Sequence, residues 1–366
     1  MKSIISATSK LLLFVLFSLT VSCSKAENAP ASLNLQLAVE VINDGSGTVH
    51  VTATANNADR YYFTFGKSSN EEGFRSTDGK ASVTYTSSGK YTIKVTAYGP
   101  DNTTAVATKE VDVVVAMNND GYVSAENYPG MKLTWKDEFA GDALNTADWT
   151  FEIGNGVDGW GNAELQYYKK ENTNVKDGFL TITAQKEAFG GFQYTSSRIK
   201  TQYNKSFKYG RIDIRAKLPK GQGIWPALWM LGANIDDVKW PASGEIDIME
   251  LVGGGPGKDN IVYGTIHFDN AGTYANISKG YTLPKGDFSD KFHVFSILWD
   301  DSKITWFVDD VEFHTQEISS AARKEFQEPF FLLFNVAVGG RWPGSPDAAT
   351  VFPQKMVVDY VRVFQK

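Results

Sequence analysis

The chain has 366 residues, with 42 Asp or Glu against 36 Lys or Arg, a net charge of −6 at pH 7 and 13% aromatic residues. It carries no basic block, which disfavours nucleic acid as a partner. No Cys–His cluster, glycine-rich strand-to-helix loop or Gly-x-Ser-x-Gly elbow points to zinc, nucleotide or serine-hydrolase chemistry. A chain this long accommodates two domains. The scarcity of long helical periodicities, with so many aromatics, predicts an all-β protein with an aromatic-lined surface.

At the N-terminus Lys2 and Lys10 precede the apolar run 11–19, and Thr20-Val21-Ser22-Cys23 follows. A charged stretch, a short apolar stretch and a small residue form an export address, and the run is too short to span a bilayer as a folded helix. The arrangement resembles a bacterial lipoprotein signal, although Thr20 and Val21 depart from the residues usual upstream. It implies removal of residues 1–22, lipidation of Cys23, and an exported lipoprotein held at the outer membrane or cell surface by its acyl chains. Ordinary secretion with cleavage nearby is the alternative. Cys23 is the only cysteine, so no disulfide forms within one molecule.

Residues 23–33 read as a polar stalk. From 34 to 115 short strands recur at 49–54, 61–65, 82–86, 91–97 and 110–115, with turn residues between them, including Asp78-Gly79 and Ser88-Gly89. Such spacing predicts an immunoglobulin-like β-sandwich. The stretch Tyr62-Phe63-Thr64-Phe65-Gly66 and residues 83–95 are similar to polycystic-kidney-disease-type (PKD) domains, without the usual Gly-Asp-Gly after Phe-Gly. The module has no Trp, which favours a spacer over a sugar-binding role. Residues 116–126 read as a linker, and all nine tryptophans lie beyond it, from Trp135 to Trp342. Indole rings offer a flat apolar face and one N–H donor, which suits the C–H face of a pyranose; Trp299 and Trp306 sit in strand-like runs and read as core.

Within 127–366 the most informative segment is Glu245-Ile246-Asp247-Ile248-Met249-Glu250-Leu251. On a strand, Glu245 and Asp247 share one face while Ile246 and Ile248 share the other. Glu250 and Leu251 both fall out of phase, and both return if one residue is bulged out, most simply at Met249. Three acids on one face repel one another and raise at least one pKa, which is costly unless chemistry uses it. A chain this acidic should show the same spacing by chance roughly half a time, so a solvated edge strand is the plain alternative, and the neighbourhood must decide.

That neighbourhood includes Trp160-Gly161-Asn162-Ala163-Glu164-Leu165-Gln166, Ser197-Arg198, Trp225-Pro226-Ala227-Leu228-Trp229, Lys239-Trp240-Pro241, His267, and Gly340-Arg341-Trp342-Pro343-Gly344. Together with the acids these resemble glycoside hydrolase family 16, in its laminarinase-like branch, over the whole C-terminal region. The resemblance implies a β-jelly roll (a concanavalin-like sandwich) and a retaining endo-hydrolase of β-1,3-glucan that also accepts mixed-linkage β-1,3/1,4-glucan, acting without a catalytic cofactor, as a monomer. It implies Glu245 as nucleophile, Glu250 as general acid/base and Asp247 as tuner of the nucleophile. His267 matches a residue facing the catalytic centre, its plain alternative being a strand histidine bonded in place. Asn162, Arg198, Trp225, Trp229, Trp240 and Trp342 match sugar-lining positions, with a surface ion pair as the alternative for Arg198. The direction of Glu164 and Gln166 is open. Arg341 departs from the family's Asn, and either braces its loop or touches a sugar hydroxyl.

The resemblance also implies a structural calcium held by Glu138, Asp359 and the carbonyl of Gly178, with two solvated acids as the alternative. Retention needs carboxyls about 5–5.5 Å apart, whereas four strand positions span about 13 Å between Cα atoms, so the strand must curve. Two other functions stay open: the same fold acting on an algal galactan, and a non-catalytic glucan-binding surface lipoprotein.

Overall fold

The computed structural model describes residues 33–43, 46–68, 71–85, 89–100, 103–115, 120–254 and 257–366. The signal segment, Cys23 and the stalk up to residue 32 lie outside the described residues, as do residues 116–119 of the expected linker. The chain divides into two compact units, Met1–Met117 and Asn118–Lys366.

The first unit is built from two antiparallel sheets. One orders Gln36–Val41, Thr48–Thr54 and Lys80–Thr84; the other orders Phe74–Ser76, Arg60–Thr64, Gly89–Tyr98 and Thr104–Val113. Alternation places the core: Val49, Val51 and Ala53 are buried while His50, Thr52 and Thr54 are exposed. These side chains meet Phe63, Val83, Ile93 and Val95 from the other strands.

The second unit is a sandwich of two larger antiparallel sheets, the jelly-roll arrangement expected. One sheet contains Gln354–Gln365, Gly210–Lys217, His293–Trp299, Lys303–Val308 and Val311–Glu317, with Phe179–Ala184, Thr173–Lys176 and Lys132–Asp137 added at the Gln354–Gln365 side. The other sheet has seven strands. In spatial order they are Thr273–Thr282, Ile261–Asn270, Glu245–Leu251, Ile224–Gly232, Phe330–Val338, Arg198–Lys200 and Thr150–Glu152. Ile246, Ile248, Leu251, Leu228, Met230 and Ile266 from this sheet pack against Ile212, Ile214, Phe295 and Ile297 from its partner. Trp299 and Trp306 are core, as expected, and their indole N–H groups are satisfied by the carbonyls of Phe326 (3.1 Å) and Asp247 (2.8 Å).

Residues 120–126, which composition assigns to the linker, are fastened to the second unit. Arg211, Asp213 and Arg215 alternate with Ile212 and Ile214 and so face away from the core. Arg215 Nε donates to the Tyr122 carbonyl (2.6 Å), and Ser124 N donates to the Tyr360 hydroxyl (2.9 Å). Just beyond, the Tyr128 hydroxyl donates to the fully buried Asp213 (2.7 Å). Buried charge on an otherwise polar sheet face is thus matched by this strap.

The calcium expectation is corrected here. Glu138 receives a two-pronged pair from Arg362, at 2.8 and 3.0 Å, and Asp359 accepts from Arg215 at 2.6 Å. Each carboxylate is already neutralised by a guanidinium, and a fixed positive charge against each acid repels a divalent cation. The donor set as arranged does not fit calcium.

Candidate active site

Strand pairing sets the site out in rows. Glu245 lies opposite His267 on one side and Leu231 on the other, and His267 lies opposite Asn276. In the next row Asp247 is flanked by Thr265 and Trp229. In the third row Glu250 is flanked by Tyr263 and Ala227, and the row continues through Asn335 to Arg198 and Glu152.

The slip that brings Glu250 back into phase is present, but its unpaired residue is Ile248 rather than Met249. On the Ile224–Gly232 side Leu228 pairs with Met249 and Trp229 with Asp247, leaving Ile248 without a partner; on the other side Ile248 and Met249 together oppose Gly264. Packing explains the position. A Cβ on Gly264 would meet Trp306 Cδ1 at 2.6 Å, so only glycine lets that ring approach, and Trp306 in turn holds the Asp247 carbonyl. Ile248 and Met249 are both buried in the core, and the three acids turn to the opposite face.

That face is a cleft of about 730 Å³. All the expected sugar-lining side chains border it: Asn162, Arg198, Trp225, Trp229, Trp240, His267 and Trp342. The indoles also act on the acids. Trp240 Nε1 donates to Glu245 (2.9 Å), Trp225 Nε1 to Glu250 (2.9 Å) and Trp229 Nε1 to Asn335 (2.8 Å). Trp342 stands edge-on to Trp225, with ring centres 5.6 Å apart. Trp240 and Trp342 stay 45% and 47% exposed, which leaves ring surface for a ligand.

Electrostatics separates the acids. Burial, with the nearby Asp247 charge, pushes the Glu245 carboxyl up to about 7, against the pull of His267 and the Trp240 N–H. Glu250 is raised well above the carboxylate range, by burial first and Asp247 next. His267 Nε2 lies 3.0 Å from Asp247 Oδ2 and 3.7 Å from Glu245 Oε1. Burial works against its charged form, but the two carboxylates outweigh burial and raise it to about 11. His267 is therefore an imidazolium at neutral pH. Glu245, Asp247 and His267 thus come together as an array of two carboxyls around one imidazole edge.

Arg198 is not a surface residue. It is 8% exposed, ion-paired to Glu152, and its guanidinium lies between the rings of Trp160 (4.4 Å) and Trp229 (4.8 Å). Glu164 turns inward and accepts from Asn162 (3.1 Å), Gln166 (2.7 Å) and Tyr168 (3.1 Å), and the Tyr168 hydroxyl accepts from Asn335 (3.1 Å). Arg341 braces its loop. It donates to the Gly161 carbonyl (2.5 Å) and to Asp158 (2.6 Å), fixing a turn in which Asp158, Trp160 and Ala163 all have positive φ.

Sequence reasoning missed Asn335, Thr265, Tyr274, Asn276 and Ser278, which also line the cleft. Tyr274, Asn276 and Ser278 alternate with Ala275 and Ile277, which pack on the core, so the period-two signal was present on that strand. Asn335 sits in the nine-residue buried strand Phe330–Val338, where alternation is lost and no such signal exists.

The model for glycosyl hydrolases family 16 matches residues 161–362, and the chain belongs to that family. A model for beta-glucan synthesis-associated protein SKN1/KRE6/Sbg1 matches residues 54–245, crossing both units and stopping before Asp247 and Glu250. The chain is 42% identical to glucan endo-1,3-beta-glucosidase A1 of Niallia circulans, over 65% of this chain and 38% of that relative, so it spans well under half of that protein's length. It is 38% identical to the beta-glucanase of Rhodothermus marinus, over 70% of this chain and 92% of the relative. The laminarinase catalytic domain from Thermotoga maritima superposes with a TM-score of 0.60 at 48% identity, covering 64% of this chain and 98% of that one.

Proposed function

We propose that the protein is a retaining endo-hydrolase of β-1,3-glucan, with mixed-linkage β-1,3/1,4-glucan as a second substrate. Glu245 attacks the anomeric carbon while Glu250 gives its proton to the departing glycosidic oxygen. Water then cleaves the glycosyl ester on Glu245, with Glu250, now a carboxylate, taking the proton. The observation that carries this reading is the pair Glu245 and Glu250 on one strand face, each held by an indole N–H and each raised in proton affinity by burial and the Asp247 charge. Two carboxyls that do not readily ionise together supply one nucleophile and one acid at the same pH. Asp247 and the His267 imidazolium hold the nucleophile's charge in balance. The glucanase and laminarinase relatives support the substrate class.

A sulfated galactan is disfavoured because, among the described residues, Arg198 is the only Arg or Lys lining the cleft, and Glu152 already pairs with it. A pure binder has no use for two buried carboxyls of raised pKa. Digestion of laminarin, lichenan, agarose and carrageenan with product sizing, beside Glu245→Gln, tests the reading. Cleavage of laminarin by the wild type only is expected; no cleavage of any glucan would overturn the substrate class, and an equally active variant would overturn the mechanism. We further propose that Cys23 carries a lipid anchor that places a monomeric enzyme at the bacterial surface, with the PKD-like first unit as a spacer.

A further inference from the structure

We propose that Tyr274 is a positioning residue of the catalytic centre: its hydroxyl oxygen locks the His267 ring, and its own proton is the donor offered to the sugar seated against Trp240. The inference rests on the glucanase reading for its second half alone.

The geometry is specific. The Tyr274 hydroxyl is 2.8 Å from His267 Nδ1 and 2.9 Å from Asn276 Nδ2. The Tyr274 ring stacks on His267 with an interplanar angle of 11°, and its centre is 4.9 Å from Trp240. Three side chains from two strands and one loop therefore form a wall along the nucleophile's side of the cleft. With His267 Nε2 at 3.0 Å from Asp247 Oδ2, the charged ring donates through Nδ1–H to the Tyr274 oxygen, and the Asn276 amide donates to the same oxygen. A phenol oxygen has two lone pairs, and these two donors use both. The remaining capacity is the phenolic O–H. Tyr274 lines the cleft and is 44% exposed, so that proton meets the space a ligand would fill.

The chemical consequence runs through His267. Its ring is faced by Asp247 and Glu245 and, on the other side, by Tyr274; its charge also acts on Glu250, and Arg198 is a second cation acting on Glu245. Fixing Nδ1 keeps Nε2 aimed between Glu245 and Asp247. Removing the Tyr274 oxygen takes away an acceptor that favours the charged ring. Donation of the hydroxyl proton to a hydroxyl oxygen of the sugar would hold the ring in register with Glu245, which favours attack through positioning.

The test is Tyr274→Phe in the full chain, which keeps the ring stack and deletes only the oxygen. His267 titration is followed by NMR without substrate, and laminarin hydrolysis is measured separately. The expected results are a His267 titration moved down by about one pH unit and a kcat/KM about tenfold lower, with the loss mainly in kcat. An unmoved titration in Tyr274→Phe overturns the lock, and unchanged kcat/KM overturns the sugar donor. If the wild type cleaves no glucan, the functional reading fails while the titration still decides the lock, so the two failures are distinguishable.

Discussion

Replacing Asp247 by Asn removes a charge from the centre of the site while keeping its shape, and its effect on the pH profile follows from the geometry. The ligand atoms of Glu245, Asp247 and His267 lie within 4.8 Å of one another. At an effective dielectric of about 20, a unit charge at about 5 Å is worth ~3 kcal/mol, or about two pK units. Glu245 stands at about 7 partly because of Asp247, so the acid limb of activity should move down by about two pH units at most. His267 loses the same partner, but from about 11 it remains protonated through neutrality and still helps ionise Glu245. Glu250 also loses a repelling charge, so its proton is released earlier and the basic limb moves down too. The sign is the same for both acids: a carboxyl whose pKa is raised by a neighbouring anion relaxes toward its ordinary value when that anion is removed. The assay is kcat/KM on laminarin from pH 4 to 10 for wild type and Asp247→Asn. The whole bell should slide toward acid, with activity at pH 7 reduced. A profile that stays in place or slides toward alkali would refute the electrostatic account of Asp247.

Other perturbations give separate expectations. Trp240→Phe deletes the N–H that lowers Glu245, so the acid limb should rise by about one pH unit, which the same profile measures. Gly264→Ala forces a Cβ to 2.6 Å from the Trp306 ring; calorimetry should show a loss of about 1–3 kcal/mol, and an unchanged melting temperature would argue against the packing origin of the bulge. Tyr128→Phe leaves one oxygen of the buried Asp213 without its donor and should cost about 1–2 kcal/mol with no change in KM. Cys23→Ser should move the protein from the membrane to the soluble fraction on cell fractionation; retention in the membrane would refute the lipid anchor.

The parts of the site visible in the sequence are those with local periodicity. Glu245, Asp247 and Glu250 announce a bulged strand because acids and aliphatics slip together, and Trp225 and Trp229 share a face because they are four apart. What stayed hidden depends on partners distant in sequence. The choice of Ile248 over Met249 as the unpaired residue is made by Gly264 and Trp306. Glu138 and Asp359 read as metal ligands until Arg362 and Arg215 are placed beside them. Arg198 reads as either a sugar-lining residue or a surface ion pair, and the choice is made only when the fold sets Trp160 and Trp229 on either side. Residues 120–126 have a linker's composition, and only the fold reveals that Arg215 and Tyr360 hold them.

The central claim is double displacement by Glu245 and Glu250, and the anomeric configuration of the first product tests it most directly. Time-resolved proton NMR of laminarin hydrolysis should show the β-anomer of the new reducing end first, with the α-anomer growing in only by mutarotation. Initial appearance of the α-anomer would mean direct displacement by water, and would contradict Glu245 as a nucleophile.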